Sequence, residues 1–129
     1  MIYLLDTVTI IRHFSNKGKL GKRANEILTS IEKSDSVFAI SIISLMEIMY
    51  LSEKNRIGID LQKTITMISE TNGYQIIDLN IEIIKAATQV HFYELHDRMI
   101  IATALWMGIP IITSDSLFSQ VKDLEVIWE

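Results

Sequence analysis

The chain has 129 residues, 49% of them apolar, with a formal net charge of -4 and a pI near 5.3. That length gives room for one domain with a sizeable core, and the acidic balance excludes a protein that holds nucleic acid by bulk positive charge alone. The absence of cysteine excludes a disulfide framework and a thiolate metal site, so any metal binds through oxygen or histidine and a reducing cytoplasm is the expected compartment.

Short β-rich runs alternate with helical patterns along the chain. Ile2–Leu5 reads as a strand, followed by a helical turn near Thr9–Phe14 and a Gly-containing loop at Ser15–Gly18. Leu20–Lys33 reads as an amphipathic helix, with Leu20, Ala24, Ile27, Leu28 and Ile31 at helical spacing. Val37–Ile40 is a second strand, and Ser41 is placed to cap a helix reaching Ser52. Ile59–Glu70 gives a further helix that closes on Asn72-Gly73, and Gln75–Leu79 is a third strand. Asn80 caps a helix to about Phe92, and Asp97–Met107 is a helix stopped by Gly108 with Pro110 just beyond. Strand Ile109–Thr113 follows, and Glu125–Trp128 is a last edge strand. Alternation of this kind over one domain spanning residues 1–129 predicts an α/β fold, a mostly parallel sheet covered by helices on both faces. Neither a membrane span nor a secretory signal is expected: Glu47 breaks the longest apolar run, and Met1–Asp6 has no basic n-region.

Four carboxylates interrupt or border the most apolar stretches: Asp6 after Tyr3-Leu4-Leu5, Glu47 within Leu45-Met46-Glu47-Ile48, Asp97 before Met99-Ile100-Ile101-Ala102, and Asp115 after Ile111-Ile112-Thr113-Ser114. Ionised acids in such surroundings need something to offset desolvation, and a divalent cation gathering several of them does so. Asp6 and Asp115 follow strands and Asp97 opens a helix, so all three are expected at the C-terminal edge of the sheet, where ligands collect. Glu47 would enter from the side, one to two turns after Ser41. Helix capping is the alternative for each aspartate, since Asp is a preferred N-cap. Ser44-Leu45-Met46-Glu47 also fits a capping box, although a cap at Ser44 would leave Ile42 and Ile43 in an unexplained linker.

These landmarks, Leu4-Leu5-Asp6-Thr7, the helical Glu47 after Ser-x-x-Ser, His96-Asp97-Arg98-x-Ile-Ile-Ala-Thr-Ala and Ile-Thr-Ser-Asp115-x-x-Phe118, resemble in order and separation those of PIN-domain nucleases. The resemblance implies a three-layer α/β/α sandwich with Asp6, Glu47, Asp97 and Asp115 around one or two Mg²⁺ or Mn²⁺ ions, supported by the hydroxyls of Thr7 and Thr113. A stand-alone domain of this length further resembles the VapC toxins, endoribonucleases of bacterial and archaeal toxin–antitoxin pairs. That implies an RNA substrate, a homodimer and a small antitoxin partner. Val8 stands where the family often has a small polar residue, and Ser116, Leu117 and Phe118 where some members add an acid. The site is therefore expected to rest on four carboxylates.

Arg12, Lys17, Lys19, Lys22 and Arg23 place five of the 12 basic residues in one segment, and Arg98 adjoins Asp97. Phosphate binding and a solvated surface run are both open for them, as is pairing with an acid for Arg98. His13, His91 and His96 share no ligand spacing, which argues against a histidine zinc site; His96 either approaches substrate or simply opens its helix. The segment Ile42–Leu51 is apolar nearly all round, which fits a helix buried on most sides or one offering Met46 and Met49, with Met67, to a partner. Trp106 and Trp128 read as core, edge-covering or interface residues. A haloacid-dehalogenase-type phosphatase needs a second Asp where Val8 stands, and a receiver module needs paired acids at the first strand. The non-enzymatic alternative is a degenerate PIN-like module that binds RNA or protein without cutting, and a housekeeping RNA-processing nuclease is the enzymatic one.

Overall fold

The computed structural model describes residues 1–30 and 35–129. Strands β1 (Ile2–Leu5), β2 (Val37–Ser41), β3 (Tyr74–Ile77), β4 (Ile111–Ile112) and β5 (Val126–Ile127) form one sheet in the order β3-β2-β1-β4-β5. Every neighbouring pair is parallel. Helices α1 (Thr7–Ser15), α2 (Lys22–Thr29), α3 (Ile42–Glu53), α4 (Leu61–Glu70), α5 (Ile81–Ala87) and α6 (Leu95–Met107) connect them, with a 3-10 helix over Ser116–Gln120 between β4 and β5.

Side chains alternate across a strand, so each strand feeds two cores. Leu4, Ala39 and Ile111 point to one face, where Ile83, Ala87 and the buried run Met99–Ala104 of α5 and α6 cover them. Leu5, Ile40 and Ile112 point to the other, against Ile10, Ala24, Leu28, Leu45, Ile48 and Ile68 of α1 to α4. This is the α/β/α sandwich expected from the alternation. Helix α3 contributes Ile43 to the first core and Leu45 and Ile48 to the second, which accounts for much of its all-round apolarity. Ile42, Met46, Met49 and Tyr50 remain exposed along it.

The strand order sets the location of the site. The chain lays down β1, β2 and β3 in one direction, then returns through α5 and α6 to the other side of β1 as β4 and β5. Parallel sheets open a crevice where the order reverses, at the C-terminal ends of the two strands flanking that point. Here those strands are β1 and β4, which lead to Asp6 and Asp115.

Local boundaries differ from expectation for identifiable reasons. Helix α1 begins at Thr7, two residues earlier than the pattern suggests, because Asp6 caps it. Helix α2 begins only at Lys22, since Gly21 packs against the end of β5, where Ala24 N donates to Trp128 O at 3.0 Å. The expected continuation to Ile31 and Lys33 lies outside the described residues. Helix α5 stops at Ala87 instead of Phe92: the Thr88 hydroxyl donates to Lys85 O at 2.6 Å, and Arg98 Nε donates to Ala87 O at 2.9 Å. Strand β4 is short because Ile109 N is taken by Ala104 O in the α6 C-cap and Pro110 has no N–H to donate.

A Cβ on Gly21 would overlap the Trp128 carbonyl, 2.5 Å from its carbon and closer still to its oxygen. Gly21→Ala is therefore expected to lower stability by about 1–3 kcal/mol. The urea unfolding midpoint reads this directly, and an unchanged midpoint would mean the β5 end yields freely.

Candidate functional site

Asp6 leaves β1 and is only 6% exposed. Its Oδ1 accepts from Thr9 N at 2.9 Å, and its Oδ2 accepts from the Thr113 hydroxyl at 2.5 Å. Thr113 Oγ1 accepts in turn from Asp115 N at 3.1 Å, and Asp115 Oδ1 accepts from Leu117 N at 2.9 Å. One chain of hydrogen bonds thus crosses the switch point from β1 to the segment after β4. Thr9 Oγ1 reinforces it by donating to Ile112 O at 3.1 Å. Capping and clustering are not exclusive here: Asp6 caps α1 and Asp115 caps the 3-10 helix while Thr113 ties the two together.

Thr113→Val keeps the shape but leaves the Asp115 N–H and a buried Asp6 oxygen without this partner. The expected loss is about 1–3 kcal/mol, with Thr113→Ser restoring most of it. Chemical denaturation of the three proteins checks this, and equal stability would remove Thr113 from the linkage.

Glu47 reaches the same edge from α3. The Thr7 hydroxyl donates to Glu47 Oε1 at 2.6 Å, and Thr7 Oγ1 lies 2.9 Å from Ser44 Oγ. Ser41 is the cap of α3, its side chain accepting from Ile43 N at 3.0 Å, so no capping box forms between Ser44 and Glu47. A turn of helix places Ser44 and Glu47 on one face, and that face meets the start of α1.

Asp97 is different. It is the third residue of α6, and the cap is Glu94, whose Oε2 accepts from Asp97 N at 2.6 Å. Asp97 therefore does not open the helix, and capping does not explain its position. Glu94 is the acid that sequence reasoning missed. Its signal was present as a Glu three residues before Asp97, the spacing of an N-cap and N3. His96 also proves more than a helix-start residue, since its Nδ1 lies 3.2 Å from Glu94 Oε1 and 3.9 Å from Glu47 Oε2.

The electrostatics of this edge are one-sided. Asp97 is pushed up to about 7, first by desolvation and then by the charges of Glu94, Glu47, Asp6 and Asp115. Burial likewise raises Asp6, against the hydrogen bonds from Thr113 and Thr9, and raises Glu47 against those from Thr7 and the attraction of His96. Among the described residues no lysine or arginine forms an ion pair with any of these acids. Nor does any group of three or more His, Asp or Glu side chains stand already gathered for a metal ion. The donor chemistry, chiefly carboxylate and hydroxyl oxygen with His96 as the one imidazole beside it, fits a hard divalent cation such as Mg²⁺ or Mn²⁺. Holding one would require the carboxylates to draw inward.

The basic run is used largely for structure where its contacts are defined. Arg12 donates to Lys19 O at 2.9 Å and lies over the Trp128 ring at 5.9 Å, fixing the loop before α2 to the end of β5. Lys17, Lys19, Lys22 and Arg23 are exposed, and among the described residues no ion pair joins them to the acids. Among the described residues Arg98 pairs with no acid; it caps the C-terminus of α5.

The fold defines a class, α/β/α proteins with a parallel sheet, and here acids from the β1 end, α3, α6 and the β4 end lie near enough along one edge to feel one another's charge. The model of the PIN domain matches residues 3–124, and the chain belongs to that family. Its fold is similar to VapBC2 from Rickettsia felis bound to a promoter DNA fragment, with TM-score 0.75, 18% identity and 100% of each chain covered. It is also similar to DNA-bound VapBC from Salmonella typhimurium, with TM-score 0.71, 19% identity and 98% and 97% of the two chains covered. A toxin–antitoxin complex from Klebsiella pneumoniae gives TM-score 0.66 at 24% identity, covering 97% and 95%. No curated protein matches the sequence.

Proposed function

We propose that this PIN-domain protein is a metal-dependent endoribonuclease acting as the toxin of a toxin–antitoxin pair. The observation that carries the reading is the position of Asp97, an acid of α6 that caps nothing and lies in a half-buried setting among four other acids, pushed up to about 7 first by desolvation and then by their charges. Partly buried acids set together in this way are the expected state of a site completed by a cation.

Asp6, Glu47, Asp97 and Asp115 would hold one or two Mg²⁺ or Mn²⁺ ions. A cation there supplies charge stabilisation to a phosphodiester and lowers the pKa of water. The protein's own part is orientation. Thr7 aims one oxygen of Glu47, Thr113 fixes Asp6 relative to Asp115, and Glu94 holds the first turn of α6 so that Asp97 projects without a capping duty. Positioning by such secondary partners commonly contributes 10- to 100-fold to metal affinity or activity.

The toxin assignment draws support from the family and from the toxin–antitoxin complexes with the same fold. A small antitoxin and a second copy of the chain are the partners this reading carries, and the exposed Ile42, Met46 and Met49 of α3 are apolar surface suited to either. Among the described residues no helix is long and apolar enough to cross a membrane. A module that binds RNA or protein without cutting is the second reading, favoured by the carboxylates not standing gathered.

Purified protein incubated with single-stranded RNA separates the two. Cleavage with Mg²⁺ or Mn²⁺ and none in EDTA is expected, and single-stranded DNA in parallel tests the sugar preference. Intact RNA with both ions would sink the nuclease reading. Growth arrest on expression without a partner is the expected mark of a toxin; harmless expression of an active nuclease would instead indicate housekeeping RNA processing.

A further inference from the structure

A cleft of about 590 Å³ lies beside the carboxylate edge, walled by Val90, His91, Phe92, Tyr93 and Arg98 on one side and by Leu117, Gln120 and Val121 on the other. Both walls are continuous with the site: Arg98 follows Asp97, and Leu117 N donates to Asp115.

The aromatic wall is built outward from the core. Phe118 is fully buried, Phe92 meets it edge-on at 5.2 Å and 75°, and Tyr93 lies parallel to Phe92 at 6.1 Å and 6°. Phe92 thus stands between the core and a tyrosine that is itself 93% exposed, and Leu117, at 44%, adds apolar surface on the opposite wall. The charge of the cleft is opposite to that of the acidic edge: among the described residues its lining carries the guanidinium of Arg98 and no acid. Arg98 is preorganised by its bond to Ala87 O, and a fixed guanidinium suits phosphate or a stacked base.

We propose that this cleft is a subsite for single-stranded RNA, in which an unpaired nucleobase stacks on Tyr93 and the phosphate beside it lies against Arg98. The proposal rests on the nuclease reading and adds where the strand lies and what it must offer. A planar ring on an aromatic side chain, with a cation for its phosphate, is how proteins take splayed-out bases. A duplex keeps its bases stacked and paired, so an unpaired segment is required. Because stacking tolerates every base, the subsite selects strandedness more than sequence.

Fluorescence anisotropy with a short labelled single-stranded RNA in Mg²⁺ tests this, on an Asp97→Asn background so that the RNA survives. Tyr93 is exposed, so its replacement does not threaten the fold. Tyr93→Ala is expected to weaken binding about fivefold or more, the lower limit for losing one stacked base. Tyr93→Phe is expected to bind like the parent, and an RNA carrying abasic sugars is expected to bind the Tyr and Ala forms equally. Equal affinity of Tyr93→Ala and parent for intact RNA overturns the proposal, including the case in which the cleft serves a protein partner. Absence of RNA binding by the parent also overturns it. Cleavage without Tyr93-dependent binding would refute the subsite alone, and Tyr93-dependent binding without cleavage would refute the nuclease alone.

Discussion

Asp97→Asn is expected to abolish RNA cleavage, by on the order of 10³-fold or more, while making the metal-free protein more stable. The first effect follows from removing a cation ligand, since the charge stabilisation a metal supplies to a phosphoryl centre is worth several kcal/mol. The second follows from geometry. Asparagine keeps the shape, the helix start is already capped by Glu94, and one of the mutually repelling charges disappears. Asp97 is half-buried, and after discounting for solvent screening the gain is about 1–2 kcal/mol at neutral to alkaline pH. Asp6→Asn is a less clean variant. The amide can still accept from Thr9 N, but a buried carboxylate oxygen that now accepts from Thr113 becomes a donor. Paired measurements of cleavage and thermal unfolding in EDTA decide the matter. An Asp97→Asn protein that cuts at the parent's rate, or is less stable without metal, would contradict the account of the site.

Divalent ions are expected to raise the melting temperature steeply at pH 7–8 and hardly at all in acid. The sign follows from linkage. Asp97 is raised from its ordinary 3.8 to about 7, so its favourable contribution is fully present below about 4 and is lost as pH rises through about 7. Asp6 and Glu47 are raised as well and act in the same direction. The metal-free protein therefore loses stability between pH 4 and 7, where carboxylates normally add it. A cation reverses this by neutralising the charges, giving about 2.7 kcal/mol at a concentration 100 times its Kd, or about 10 °C for a domain of this size. At pH 4 protons hold the same sites, and ions compete poorly. Melting curves with Mg²⁺, Mn²⁺ and EDTA across that range provide the check. A shift of equal size at pH 4 and pH 8 would place the ions elsewhere.

The exposed face of α3 repays comparison with the sequence. All-round apolarity left burial and partner binding open for Ile42–Leu51; burial holds for Ile43, Leu45 and Ile48, while Ile42, Met46 and Met49 stay exposed. Ile43, Leu45 and Ile48 serve two cores because α3 sits between α6 on one side and α1 and α4 on the other. Met46 and Met49 are left outside at 42% exposure each. Periodicity reports how many faces are apolar, but not how many neighbours are present to cover them.

The alternation of strand and helix patterns, with turn and capping residues such as Ser41, Asn80 and Gly108, was enough to place the elements and predict a parallel sheet between helices. Those signals are local, set by side-chain period and backbone conformation, and they survive without knowledge of the neighbours. The four acids were also legible, because an ionisable group beside an apolar run is a local contradiction. What only the tertiary structure decided was the work each acid does. Asp6 and Asp115 share Thr113 across a switch point created by strand order, which depends on contacts more than a hundred residues apart. Glu94 took the cap and released Asp97, and Phe92 packed edge-on against the buried Phe118 while Tyr93 stayed outside. Each depends on which surfaces meet, and a linear pattern records the residues available for contact without recording the contacts.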